Sequence, residues 1–157
     1  MNNVVVYPGT FDPITNGHLD IINRASKMFP FLIIAVAKGD EKNPMFSLED
    51  RVKMVKLSVS NIPNIEVDSF SNLLAEYAKH KNTKVIIRGL RAISDFEYEF
   101  QMNYANSSLN KDLETIYLMP SIHNVFISSS MVRSILKYGG NISHIVPPPA
   151  LSYISKI

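Results

Sequence analysis

The residues of this chain best suited to chemistry are cations and hydroxyls. His18, Lys42, Arg88 and Arg91, with Arg133 as a further candidate, stand beside the hydroxyls of Thr10, Ser128, Ser129 and Ser130. Such an inventory supplies hydrogen-bond donors and positive charge, which stabilise the charge that develops when a phosphoryl group is transferred. It lacks the parts other chemistries need. There is no cysteine for a thiolate nucleophile or metal site. His80, His123 and His144 are scattered, without a His-x-x-x-His spacing. No Gly-x-Ser-x-Gly elbow, Walker A loop or Gly-x-Gly-x-x-Gly fingerprint occurs. Each candidate also has a plain structural reading. The serine run suits a helix N-cap, although cap preference accounts for one serine and not three. Arg88 and Arg91 suit a solvated loop, Lys42 a charged loop, Glu99 a helix surface, and Phe96 and Tyr98 packing. The functional reading depends on the fold bringing these residues together.

The elements that would do so alternate along the chain. Asn3-Val4-Val5-Val6 reads as a buried strand entering the turn Tyr7 to His18. After it, Leu19, Ile22, Ala25, Met28 and Phe29 recur at helical spacing from about Gly17. Strand, Gly/Pro-rich turn and helix start is an arrangement that aims N–H groups and a positive helix end at an anion. Phe31 to Ala37 reads as a central parallel strand covered on both faces. Ser47 caps a helix whose buried face is Val52, Met54, Val55, Leu57 and Val59. Ile65 to Asp68 alternates as a strand, and Ser71 or Asn72 is placed to cap a helix through Leu73, Leu74, Tyr77 and Ala78. Lys84 to Gly89 is a further strand. Ser94-Asp95-Phe96-Glu97 matches a capping box, opening a helix with Phe96, Phe100, Tyr104 and Ser107 along one side. Glu114 to Met119 is the last strand. Met131 to Tyr138 is a helix closed by Gly139-Gly140, and Ala150 to Lys156 a terminal helix after three prolines.

This alternation predicts a single α/β domain over residues 1–157, a Rossmann-like doubly wound sheet of five parallel strands with helices on both faces. Ligands bind such sheets beyond the carboxyl ends of the strands. That rule selects five loops, Tyr7 to His18, Lys38 to Phe46, Asp68 to Leu74, Arg88 to Arg91 and Pro120 to Ser130. The bulk numbers agree with one soluble domain, since 157 residues with 46% apolar and 19% charged side chains suit one core. A net charge of +2 is too small to imply nucleic acid or an anionic membrane as partner. The longest apolar stretch, Met28 to Ala37, is too short for a bilayer and contains Pro30. With no basic-then-apolar leader, the expectation is a cytoplasmic protein.

Thr15-Asn16-Gly17-His18 matches the T/H-x-G-H signature of the nucleotidylyltransferase superfamily, and Ile127 to Arg133 is similar to its second signature, I-S-S-S/T-x-x-R. The strings Tyr7 to Pro13, Pro44 to Phe46, Arg88 to Arg91 and Asp95 to Glu99 narrow the match. Together they closely resemble the bacterial phosphopantetheine adenylyltransferases over essentially the whole chain. The resemblance implies transfer of the AMP moiety of ATP to 4'-phosphopantetheine by direct in-line displacement with Mg2+. The products are 3'-dephospho-coenzyme A and pyrophosphate, in coenzyme A biosynthesis. It implies catalytic roles for Thr10, His18, Lys42 and Arg91. Thr10 and His18 would contact the α-phosphate, and Thr10 and Lys42 the attacking phosphate. ATP would also meet Phe11, Gly89, Leu90, Arg91, Glu99, Asn124, Val125, Phe126, Ile127, Ser128, Ser129 and Ser130. Leu74 and Arg88 would join Thr10 and Lys42 on phosphopantetheine. No protein metal ligand is implied, Mg2+ being held by phosphates and water. Coenzyme A as feedback inhibitor and a homohexamer, a dimer of trimers, are also implied. Asn124 stands where many members carry tryptophan, Ser134 where an acid is common, and Asn72 where glycine or aspartate is frequent. The competing readings are a nucleotidylyltransferase acting on nicotinate mononucleotide or glycerol phosphate, and a nucleotide sensor without turnover.

Overall fold

A computed structural model describes residues 4–39 and 44–157. The elements run β1 (Val4–Gly9), α1 (Asn16–Met28), β2 (Phe31–Ala37), α2 (Leu48–Ser58), β3 (Ile65–Phe70), α3 (Leu74–His80), β4 (Val85–Gly89), α4 (Ile93–Leu109), β5 (Glu114–Leu118), α5 (Ser129–Lys137) and α6 (Pro148–Ile154). The strands pair in parallel in the order β3-β2-β1-β4-β5, the expected doubly wound sheet. Alternate strand residues divide between its faces. Val5, Tyr7, Leu32, Ile34 and Val36 pack with Ile21, Ile22, Met54, Val55, Val132 and Ala150 of α1, α2, α5 and α6. Val6, Ile33, Ala35 and Ile86 pack with Ala75, Tyr77 and Ala78 of α3. Fully burying a strand side chain such as Leu32 or Ile34 contributes about 1.5–3 kcal/mol, so a one-residue slip of register would forfeit several such terms.

The strand order reverses between β1 and β4, and there the sheet opens. β1 pairs with β2 from Val4 to Gly9 but with β4 only at Val5 and Val6. Pro8 accounts for the early parting. The N–H and C=O of one strand residue point to the same side, and the Pro8 carbonyl accepts from Nη1 of Arg88 at 2.9 Å. The missing N–H therefore falls on the β4 side, leaving the ladder to β2 intact. The ladder is replaced by an arginine side chain at the switch point, where open sheets bind ligands.

Two helix starts differ from expectation. The N-cap of α4 is Ala92, whose extended backbone (φ −140°, ψ 163°) begins the helix before Ser94. Asp95 faces Arg91 instead, accepting from its backbone N at 3.3 Å with Nε at 3.4 Å. α3 starts after Leu73 without a side-chain cap, so neither Ser71 nor Asn72 performs that task. The stripe Phe96, Phe100 and Tyr104 does form, with successive ring centroids 5.8 and 5.0 Å apart. It points outward, 50%, 50% and 64% exposed, while Glu99 and Asn106 of the same helix are buried. The amphipathicity of α4 is thus inverted within a single chain. No helix among the described residues is long and apolar enough to cross a membrane.

Candidate active site

A cavity of about 290 Å³ lies at the switch point. Tyr7 and Thr10 come to it from β1 and its turn, Gly17 and His18 from α1, and Arg88, Gly89 and Arg91 from the end of β4. Tyr98 and Glu99 of α4 and Ser128, Ser129, Ser130 and Arg133 at the start of α5 complete the wall. A second cavity of about 120 Å³ shares Arg88, Tyr98 and Glu99 and adds Leu74, Met102, Asn106, Thr115 and Tyr117. The Thr115 hydroxyl is buried without a hydrogen-bond partner among the described residues.

The start of α1 fixes the chemistry of His18. Thr15 is the N-cap, its Oγ1 accepting from the His18 backbone N at 3.4 Å, while Nδ1 of His18 accepts from the Thr15 backbone N at 3.1 Å. This is a capping box with histidine in the place of glutamate. A backbone N–H can only donate, so Nδ1 carries no proton and Nε2 does. Burial, with the positive charges of Arg91 and Arg88 adding to it, pulls the imidazole pKa down to about 3. His18 is therefore a neutral Nε2–H donor. Its ring lies 4.9 Å from that of Phe11, which sits at φ 49° and meets Tyr7 edge-on at 5.6 Å. Burial raises the Tyr7 hydroxyl to about 12 even against the pull of Arg88 and Arg91, so it stays protonated.

The first N–H of α1 is taken by the far end of the chain. Asn16 N donates to Ile145 O at 2.9 Å, and Asn16 Nδ2 donates to His144 O at 3.2 Å. Gly17 packs against the loop before α5, where a Cβ would stand 3.4 Å from Ile127 O and 3.5 Å from Asn124 O. Those are ordinary van der Waals distances, and at Gly17 the two signature segments pack side by side.

Arg88 joins the cavities. Its Nη2 donates to Glu99 Oε1 at 2.6 Å and its Nε to the same carboxylate at 3.0 Å, a bidentate pair with Glu99 only 7% exposed. Burial works against the charge on Arg88, but the bonds to Glu99 outweigh it and the pKa rises. Glu99 is thus no surface carboxylate. The three serines divide the work. Ser128 Oγ caps α5 by accepting from Met131 N at 3.1 Å, and Ser129 Oγ donates to Pro13 O at 2.8 Å. Ser130 Oγ accepts from Arg133 Nη2 at 3.3 Å. Arg133 also donates through Nη1 to Asp12 O at 2.8 Å, and Arg91 through Nη1 to Ile127 O at 3.3 Å. These bonds tie the two signature segments together and leave the N-terminus of α5 facing the cavity.

With this geometry in place, comparison with known proteins is decisive. Residues 6–135 match the cytidylyltransferase-like family model. A phosphopantetheine adenylyltransferase of Nautilia profundicola is 60% identical over 147 residues, covering 94% of this chain and 96% of its own. One from Wolinella succinogenes is 57% identical over 99% of this chain and 97% of its own, and one from Helicobacter pylori J99 is 55% identical over the whole of both. The chain belongs to the phosphopantetheine adenylyltransferase family. A structure from Vibrio parahaemolyticus, provisionally described as a nicotinate-nucleotide adenylyltransferase, superposes with a TM-score of 0.75 over 99% of this chain and 93% of its own. At 16% identity that likeness speaks for the fold alone.

Of the residues singled out for the family, Thr10, His18, Arg88, Gly89, Arg91, Glu99, Ile127, Ser128, Ser129, Ser130 and Arg133 line the larger cavity, and Leu74 the smaller. Phe11 is buried beneath His18 rather than exposed in the wall. Leu90 donates its N–H to Leu118 O, and Asn124 turns its amide to Ser121 Oγ at 2.9 Å. Leu90, Asn124, Val125 and Phe126 line neither cavity, and Phe126 is 83% exposed. Lys42 lies outside the described residues. Sequence reasoning quoted Thr15 in its signature and Tyr7 in the turn without giving either a role, and passed over Arg51. Thr15 had a signal, its capping-box distance of three from His18. Arg51 had one too, since Arg51, Met54, Val55 and Ser58 are the buried positions of α2 and share its helical spacing.

Proposed function

We infer that this chain, as a nucleotidyltransferase of its family, transfers the adenylyl group of ATP to 4'-phosphopantetheine, releasing pyrophosphate. The observation that carries the reading is a cavity with donors on three sides and, among the described residues, no activated nucleophile. The one lining hydroxyl against a base, Thr15 Oγ1 at 3.0 Å from Nδ1 of His18, is 1% exposed and engaged in capping α1. Direct displacement needs no protein nucleophile. A phosphate oxygen of phosphopantetheine attacks the α-phosphorus of ATP, the bond to the bridging oxygen of the β-phosphate breaks, and pyrophosphate leaves with the electron pair. Catalysis is then alignment plus neutralisation of developing charge. The Nε2–H of His18 and Thr10 serve the α-phosphate, and the start of α5 with Arg91 serves the β- and γ-phosphates. Arg88, standing between the cavities, serves the phosphate of phosphopantetheine, with the pantetheine arm in the smaller cavity beside Leu74. Lys42 belongs to the same reading as the partner of Thr10 on the attacking phosphate.

A divalent cation, Mg2+ in this reading, fits the donor set as a passenger of the triphosphate. No group of three or more His, Cys, Asp or Glu that could hold a metal occurs among the described residues, and Glu99 and Asp95 are engaged by Arg88 and Arg91. Such an ion, bound mostly by phosphates and water, supplies charge neutralisation on the β- and γ-phosphates. Coenzyme A shares the phosphopantetheine arm and is expected to compete for both cavities. A cytoplasmic location belongs to the same reading.

The deciding assay is pyrophosphate release from ATP with phosphopantetheine, nicotinate mononucleotide, glycerol phosphate or no acceptor. Release with phosphopantetheine alone is expected, and a preference for another acceptor, or binding without release, would overturn the reading. The outward stripe Phe96, Phe100 and Tyr104 of α4 supports the homohexamer, because exposed apolar surface of this kind marks a face for assembly. Light scattering should return the mass of six chains, and a monomer would exclude it.

A further inference from the structure

Arg51 is 1% exposed, and its guanidinium collects backbone carbonyls from three segments. Nη1 donates to Thr10 O and to Ala37 O, each at 2.8 Å, Nη2 to Lys38 O at 3.1 Å, and Nε to Phe46 O at 3.1 Å. Asp12, 2% exposed, grips the same assembly from the other side, its carboxylate accepting from Met45 N at 3.0 Å and Phe46 N at 2.9 Å. Phe46 is thus held at both its N–H and its C=O, and Thr10 at its C=O. Neither Arg51 nor Asp12 lines either cavity.

We propose that Arg51 and Asp12 are positioning residues for adenylyl transfer, acting through Thr10 and touching neither substrate. The proposal rests on the reading of the cavity given above. The bond at Thr10 O fixes the peptide that leads into Phe11, whose φ of 49° is a conformation that a bulky L-residue keeps only when its surroundings enforce it. Releasing that carbonyl lets the turn relax and moves the Thr10 side chain relative to His18. The fork is essential to the task. Planar guanidinium donors reach carbonyls on three segments at once, whereas a lysine ammonium has three donors on one nitrogen. Arg51→Lys therefore keeps the charge and loses the frame.

A double-mutant cycle separates this role from simple support of the core. Arg51→Lys is expected to lower kcat by about 10²-fold, the effect of a misplacement near 1 Å, with the ATP dissociation constant changed by less than about threefold. In a Thr10→Ala background the same substitution should lower kcat by less than a further threefold or so, because the group it positions is gone. Asp12→Asn, which puts an N–H2 where the Met45 or Phe46 N–H needs an acceptor, runs through the same cycle, so that a folded variant is in hand for one of the two. Additive losses in the two backgrounds, or a parallel loss of ATP affinity and rate, would overturn the proposal while the reading of the cavity stands. If Thr10→Ala alone leaves kcat unchanged, that reading fails at Thr10 and the proposal falls with it.

Discussion

His18→Asn is expected to lower the maximal rate by about 10²–10³-fold, the effect of deleting one donor to a developing oxyanion, while ATP affinity shifts by less than about threefold. Asparagine keeps an acceptor for the Thr15 backbone N, so the capping box survives, but it has nothing at the position of Nε2. The loss should therefore appear in kcat and equally in kcat/KM. Equal losses in ATP affinity and kcat/KM, with kcat unchanged, would instead make His18 an ordinary ground-state contact. The pH profile provides a second check. With the imidazole pKa near 3, the Nε2–H donor is present and neutral throughout the neutral range. The kcat/KM for ATP should carry no histidine limb near 6.5. A cationic His18 would give activity that falls as pH rises through 6.5, and a limb of that sign, absent from His18→Asn, would sink the neutral-donor assignment. The same shift has a stability signature. Between pH 6.5 and 3 the unfolded chain binds a proton that the folded chain refuses, so stability declines as pH falls through that window, and less steeply in the asparagine variant.

The second large effect is expected at Arg88. Arg88→Ala should weaken phosphopantetheine by about 10- to 100-fold, the value of a charge-assisted bond, and ATP by less. It should also destabilise the fold by about 3–5 kcal/mol, because Glu99 would be left buried without its cation. The two consequences can be separated. Arg88→Met with Glu99→Gln removes both charges, and is expected to recover most of the thermal stability without recovering affinity for phosphopantetheine. Thermal unfolding and the two KM values measure the outcome. A larger loss for ATP than for phosphopantetheine would move Arg88 to the other substrate.

The sheet and the cavity were legible in the sequence because they rest on period and spacing. β-branched runs marked the buried strands, and the rule for carboxyl ends selected the turn, the Arg88 loop and the serine run that the cavity joins. What could not be read was which of several polar partners each side chain would choose. Ser94 and Glu97 fit a capping box, yet the helix starts after Ala92 and Asp95 pairs with Arg91 four residues earlier. Glu99 looks solvent-facing on its helix, yet Arg88, eleven residues earlier at the end of β4, folds over it and pairs with it. The α4 stripe has a core period but lies on the outside of the chain, where period alone assigns no partner. Arg51 stands on the buried face of α2 because distant carbonyls converge there, a long-range fact with no local signature beyond its helical position.

The bonds from Asn16 to His144 and Ile145 impose an order on biogenesis. The turn before α1 is closed by a residue 128 positions later in the chain, and Gly17 has no loop to pack against until residues 124–127 have been made. Val132, Ile142, Ile145, Val146 and Ala150, which cover the α1 side of the sheet, arrive later still. A nascent chain thus carries an exposed apolar sheet face and a half-built nucleotide cleft until those residues have been made. For this fold, the α1 face of the sheet stays open to wrong partners until residues 132–150 are available to cover it.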